Sequence, residues 1–230
     1  MYKIKILGLI PARGGSKGIP KKNLHIFNNK PLIQWSIESA IESNLLDKII
    51  VSTDDQSIAN FSRSKGVEVP FLRDKNLATD DSLIIDTVLK VLEQQKNFDF
   101  VLLLQPTSPL KTKDDIANII SLQKKYNASS LVSVCEASEN PAHFYEINNQ
   151  NYLCKSFEEI KGSNRQNYKK NYILNGALYL SSVKNLKKYK SFFTNNTIPY
   201  IMPRERSIDI DDIIDIKWGE FIHKYNNNNE

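Results

Sequence analysis

The sequence predicts an α/β protein with a doubly wound, mostly parallel sheet. Three observations carry this. Residues 4–10, 98–104 and 131–134 are apolar at nearly every position, as strands buried on both faces are. Segments with apolar residues at helical spacing alternate with them. Loops rich in Gly, Pro and Asp follow the strands, and in such sheets ligands bind at the carboxyl ends of the strands.

Taken in order, residues 4–10 form the first strand and a Gly-rich loop runs over 11–20. After Pro31, the spacing of Ile33, Ile37, Ala40 and Ile41 predicts a helix, and 49–52 predict the second strand, closed by Thr53, Asp54 and Asp55. A helix over 57–65, a strand over 67–72 and a helix over 82–95 follow. The strand at 98–104 ends in Gln105-Pro106-Thr107-Ser108-Pro109, and a helix over 114–126 precedes the strand at 131–134. The rhythm breaks over 138–171, a polar excursion with short strand-like pieces at 144–147 and 152–157. About 35 residues bury too little to stand as a domain, and excursions of this kind often make dimer contacts. The chain returns through 172–180, a helix over 183–192, a strand over 199–202 and a final helix over 212–225. Residues 1–225 thus read as one domain, with 226–230 as a polar tail.

Composition narrows the function. Apolar residues make 40%, charged residues 25% and aromatics 10%, values of an ordinary globular domain. No apolar run is long enough for a transmembrane helix, and residues 1–15 lack the pattern of a signal peptide, so a cytoplasmic location is expected. Lys and Arg exceed Asp and Glu by 31 to 26, a surplus suited to an anionic small molecule. The basic pairs are scattered, which argues against nucleic acid as the ligand. Cys135 and Cys154 have no metal-ligand spacing, and Cys135 reads as core.

Two motifs carry chemistry. The first is PARGGSKGIPKKN, 11–23. Gly14, Gly15 and Gly18 permit close backbone approach and positive φ, and their N–H groups can form an anion nest. Arg13, Lys17 and Lys22 add cations and Ser16 a hydroxyl, so the loop reads as a polyphosphate cradle. The order Ser-Lys-Gly rules out a P-loop, and G-x-G-x-x-G is absent. The plainer reading is a basic surface turn; its place after a buried strand favours phosphate.

The second motif is SIDIDD, 207–212. On an extended chain Asp209 and Asp211 share a face while Ile208 and Ile210 point inward. Two adjacent carboxylates suit a hard cation such as Mg²⁺. The competing reading makes Asp211 or Asp212 the N-cap of the last helix, with Asp215 in its first turn. The Asp54-Asp55 pair carries the same ambiguity.

IPARGGSKGIPKKN, VSTDD, LLLQPTSPL, RQ…NGALYL and SIDID stand here in the order that they take in the cytidylyltransferases that activate nine-carbon keto sugar acids. The chain resembles this family, the CMP-sialic acid synthetases and their legionaminic and pseudaminic acid counterparts, from about Lys3 to Glu220. The resemblance implies a Rossmann-like nucleotidyltransferase fold, with 138–171 as the dimerisation excursion of a homodimer. It implies Mg²⁺-dependent transfer of CMP from CTP to the anomeric hydroxyl, releasing pyrophosphate. Arg13, Lys22 and Asp211 would be catalytic. Ala12, Arg13, Gly14, Ser16, Lys17, Asn23, Arg73, Asp80 and Ser82 would bind the nucleotide. Gln105, Thr107, Ser108, Arg165, Gln166, Asn175 and Gly176 would meet the sugar acid, and Asp209 and Asp211 the metal.

Two positions depart from the pattern. Ile173 stands where many relatives carry Arg before Asn-Gly, and Lys111 where Arg is common. Lys keeps the charge and loses the bidentate fork. The Lys-Gly-Ile-Pro at 17–20 is more similar to the sialic and legionaminic branches. The rival readings are a CMP-octulosonate (KDO) synthetase and a CTP-binding regulator without activity.

Overall fold

The computed structural model describes residues 3–74, 76, 82–157 and 170–227. A short hairpin of β2 (Ile26–Phe27) and β3 (Lys30–Pro31) precedes the first helix, and a six-stranded sheet runs β10-β6-β9-β5-β1-β4. Its strands are β1 (Ile6–Pro11), β4 (Lys48–Ser52), β5 (Phe100–Leu104), β6 (Ser130–Glu136), β9 (Tyr172–Ser182) and β10 (Ile198–Ile201). β1 pairs in parallel with β4 and β5, and β6 in parallel with β10. β9 alone in the sheet runs antiparallel, to both β5 and β6. The helices are α1 (Leu32–Ser43), α2 (Gln56–Ser64), α3 (Ile84–Gln94), α4 (Lys113–Tyr126), α5 (Val183–Tyr189) and α6 (Ile213–Asn227).

The even apolarity of the strands has its reason in two-sided burial. In β1, Ile6 and Ile10 face α1, α2 and α4, while Leu7 and Leu9 face α3 and α5. β5 divides in the same way, with Leu102 and Leu104 on one side and Val101 and Leu103 on the other. Gly8 is required by space, because a Cβ there would lie 2.7 Å from Leu46.

Residues 67–72 form no ladder, contrary to the expected strand. They touch β4 through isolated bridges, Ile50 to Glu68 and Thr53 to Leu72. Residues 207–211 are likewise not a strand. The excursion contains a hairpin of β7 (Tyr145–Ile147) and β8 (Leu153–Lys155), exposed at every position. Ile147 and Leu153 are 70% and 71% exposed, far more than a monomer's core strands would be.

Helix ends follow local rules. Asp55 caps α2, accepting from the Ser57 and Ile58 N–H groups. Thr112 and Asp115 form a capping box at α4. Asp115 also works at long range. It is fully buried and accepts from Tyr200 Oη at 2.8 Å and Arg206 Nη2 at 2.7 Å. Burial alone would raise its carboxyl; Arg206, the Thr112 N–H and Tyr200 hold it below the usual range.

Asp115→Asn is therefore expected to cost about 2–4 kcal/mol, low for a buried pair because Arg206 still reaches water. A depressed carboxylate stabilises the fold above its unfolded value and ceases to as pH falls. Chemical denaturation of both proteins across pH should show the gap narrowing below pH 3.8.

Candidate active site

The Gly-rich loop leaves β1 at the carboxyl edge and turns back on itself. The left-handed residue that turns it is Lys21 (φ 53°). Gly14, Gly15 and Gly18 do not adopt positive φ. Two of them serve close approach instead: a Cβ on Gly14 would meet Asp55 at 2.8 Å, and one on Gly18 would overlap the Asp211 carbonyl oxygen. The Gly14 N–H is committed to Asp54 Oδ1 at 2.9 Å, so it is not part of an open nest. Asn23 is buried and closes the loop by donating to the Arg13 carbonyl at 2.8 Å.

The loop walls a cleft of about 300 Å³, lined by Arg13, Ser16, Lys22 and Asn23 on one side. Arg73, Ser82 and Thr87 form another side, and Gln105 and Thr107 a third. Arg73 is 94% buried: 6% of it is exposed. Its Nη1 donates to Thr87 Oγ1 at 3.0 Å and its Nη2 stands 3.7 Å from Asp54. Among the described residues its Nε has no hydrogen-bond partner. Burial and the nearby Arg13 charge lower the Arg73 pKa, with Asp54 opposing. Two close guanidiniums and an unmatched donor make this side of the cleft receptive to an anion.

The carboxylates arrive from the other end of the chain. The Ile210 N–H donates to the Thr107 carbonyl at 2.7 Å, and Ile210 is buried with Ile19 of the loop and Ile216 of α6. Lys22 Nζ donates to the Ile210 carbonyl at 2.9 Å and to Asp211 Oδ1 at 3.1 Å. Asp212 is the cap of α6, accepting from Ile214 and Asp215 N–H groups, and Asp215 accepts from the Asp211 and Asp212 N–H groups. Asp211 is thereby released from capping, and its side chain is 81% exposed. Asp209 is raised above the usual carboxylate range. Desolvation is the main cause and the Asp211 charge adds to it, while Thr107, Lys22 and Lys111 pull the other way. Part of Asp209 still opens to solvent.

Asp209 and Asp211 are hard oxygen donors whose mutual repulsion a cation would relieve. Among the described residues no group of three or more His, Cys, Asp or Glu is placed to hold a metal. A pair of carboxylates fits Mg²⁺, which takes one or two carboxylates plus substrate phosphates.

Some predicted residues have inward roles. The Ala12 side chain is buried in the core. Ser108 is fully buried and donates to the Asn175 carbonyl at 3.1 Å. The Asn175 side chain is also internal, accepting from Ser133 Oγ at 2.6 Å and donating to Ser207 Oγ at 2.9 Å. It sits where the β6–β9 register shifts, and Gly176 takes φ +72° there, with Asp209 3.2 Å from where its Cβ would be. Ser108 and Asn175 are thus turned inward, with their polar side-chain groups bonded within the protein. Lys17 is exposed and lies off the cleft wall. Asp80, Arg165 and Gln166 lie outside the described residues. Thr87 was missed; its signal is a buried hydroxyl on the apolar face of α3.

A basic Gly-rich loop after a buried parallel strand, facing a carboxylate pair, defines an α/β nucleotidyltransferase. The comparisons with known proteins agree. The chain belongs to the cytidylyltransferase family, whose model matches residues 7–210. It is 38% identical to the CMP-N,N'-diacetyllegionaminic acid synthase of Legionella pneumophila, over 97% of this chain and 98% of that protein. It is 31% identical to the pseudaminic acid cytidylyltransferase of Campylobacter jejuni, over 97% and 98%. Among solved structures, a CMP:2-keto-3-deoxy-manno-octonic acid synthetase complexed with CTP shares the fold at a TM-score of 0.72 and 17% identity, over 96% of this chain and 99% of that one.

The close approach at Gly18 yields a paired test. Gly18→Ala is expected to lower the melting temperature and weaken CTP binding, because backbone must shift. Gly15→Ala, whose Cβ meets nothing within 4 Å, should melt like the wild type. Equal melting of the two variants would contradict the packing described.

Proposed function

We propose that the protein is a Mg²⁺-dependent CMP-nonulosonate synthetase, transferring CMP from CTP to a nine-carbon keto sugar acid of sialic or legionaminic type. The observation that carries this is Lys22 bridging the phosphate loop to Asp211. It brings a carboxylate of the 207–212 motif beside a cation of the cleft wall, as metal-assisted nucleotidyl transfer needs. The relatives named for legionaminic and pseudaminic acids share nearly the whole chain and favour these acids over an octulosonic acid. The octulosonate enzyme is similar in fold alone.

In this reading the anomeric hydroxyl oxygen attacks the α-phosphorus. The new bond joins that oxygen to phosphorus, the bond to the bridging oxygen breaks, and pyrophosphate leaves with the electron pair. The hydroxyl proton passes toward the carboxylate end of the cleft. Arg13, Lys22 and Arg73 hold the triphosphate and its developing charge, and preorganised donors of this kind need no reorganisation at the moment of reaction. Asn23 keeps Arg13 in register and Ser16, Ser82 and the loop backbone complete the nucleotide side. Gln105 and Thr107 face the sugar acid. Asp209 and Asp211 would hold the metal, which would neutralise phosphate charge when bound. Asp80, Arg165 and Gln166 take the nucleotide and sugar roles that the resemblance implies.

A homodimer is part of the proposal. Its support is the exposed apolar hairpin, where Ile147 and Leu153 stay largely exposed among the described residues. Among the described residues no helix is long and apolar enough to cross a membrane, and we place the enzyme in the cytoplasm.

The test is pyrophosphate release from CTP and Mg²⁺ with sialic, legionaminic, pseudaminic and octulosonic acids in parallel. Release with a sialic- or legionaminic-type acid is expected; release with the octulosonic acid alone would reject the reading. Arg13→Ala should lower turnover by on the order of 10²- to 10³-fold. Asp211→Ala should abolish Mg²⁺-dependent release yet melt normally, because Asp212 holds the helix cap.

A further inference from the structure

Lys111 entered the argument as a departure from the family pattern. The structure puts its amine in the interior, 3% exposed, among three oxygens. Nζ donates to Ser36 Oγ at 2.6 Å, to the Gln105 carbonyl at 2.6 Å and to the Ser108 carbonyl at 2.8 Å. Gln105 and Ser108 are the two ends of one turn, and Thr107 lies inside it. Thr107 receives the Ile210 N–H on its carbonyl at 2.7 Å, and Ile210 is the chain neighbour of Asp209. One buried amine therefore clamps a segment that lines the cleft at Gln105 and holds the 207–211 segment at Thr107.

Ordinary core packing would not place a lysine here. Burying an amine costs several kcal/mol unless every proton is matched. All three positions are matched here, and two of the three acceptors are main-chain carbonyls that helices and strands leave free. The matched geometry points to a purpose in fixing the turn.

We propose that Lys111 is a positioning residue for the reaction: it fixes the Gln105–Ser108 turn and, through Thr107, the placement of Asp209. It touches neither substrate. The inference rests on the proposed function for its kinetic consequence alone.

The experiment compares wild type, Lys111→Met, Lys111→Arg and Ser36→Ala. Amide hydrogen exchange is read at Ile210, whose N–H reports the Thr107 contact, with β1 and β4 amides as controls. In Lys111→Met, Ile210 should exchange about tenfold faster or more while the controls keep their protection. Turnover should fall roughly 10- to 100-fold, the usual cost of misplaced groups, with the KM for CTP unchanged and the Mg²⁺ requirement raised. Lys111→Arg should restore much of both. Should Lys111→Met fail to fold, Ser36→Ala removes a single partner of the amine and is expected to raise Ile210 exchange alone. Unchanged Ile210 exchange in the folded variants, or a loss spread evenly over the controls, overturns the proposal. A wild type silent with every acid would reject the proposed function, while Ile210 exchange would still decide the role of Lys111.

Discussion

The contact between the first loop and the last segment before α6 is the constraint on which the site depends. Gly18 lies against the Asp211 carbonyl, Lys22 reaches the Ile210 carbonyl and the Asp211 carboxylate, and Ile19 packs on Ile210 and Ile216. These groups are nearly 190 residues apart in the chain. Apolar burial beneath the contact and a charged hydrogen bond above it join them. Without this junction the cations and the carboxylates would belong to opposite ends of the protein. With it, Asp211 stands beside Lys22 of the cleft wall.

Two of the chain's Asp-Asp pairs, 54–55 and 211–212, are divided in the same way. In each, the second aspartate caps a helix and the first faces the site. Asp55 caps α2, while Asp54 holds the Gly14 N–H and stands beside Arg73. Asp212 caps α6, while Asp211 meets Lys22. The cap anchors the backbone, and the anchored backbone aims the neighbouring carboxylate. Structural and functional readings of such pairs are thus complementary: one residue type does both jobs at successive positions.

A second layer of polar residues lies behind the cleft. Ser133, Asn175 and Ser207 form one group, and Ser36, Lys111 and the Gln105–Ser108 turn another. Ser108 links them by donating to the Asn175 carbonyl. These contacts lie where β6 and β9 lose register and where Gly176 takes a positive φ. Breaks in a sheet free backbone groups, and buried side chains must satisfy them. The rim of this sheet is irregular in the region where the cleft needs shape, and matched hydrogen bonds keep that irregularity rigid.

The sequence by itself determined the alternation of strands and helices, the two-sided burial of β1 and β5, and the presence of a basic Gly-rich loop at 11–23 and an acidic run at 207–212. Period, turn chemistry and capping are local, so a few neighbouring residues encode them. The tertiary structure decided the rest. Nothing in YILNGALYL states that β9 runs antiparallel, because both of its faces are apolar in either direction. Residues 67–72 have the composition of a strand, yet they reach β4 through single bridges instead of a ladder. Polar side chains such as those of Asn175 and Lys111 usually face water; only partners from distant strands and helices make burial favourable for them. Which aspartate caps and which one faces the cleft was likewise open in the sequence. It was settled when folding brought Lys22 to Asp211.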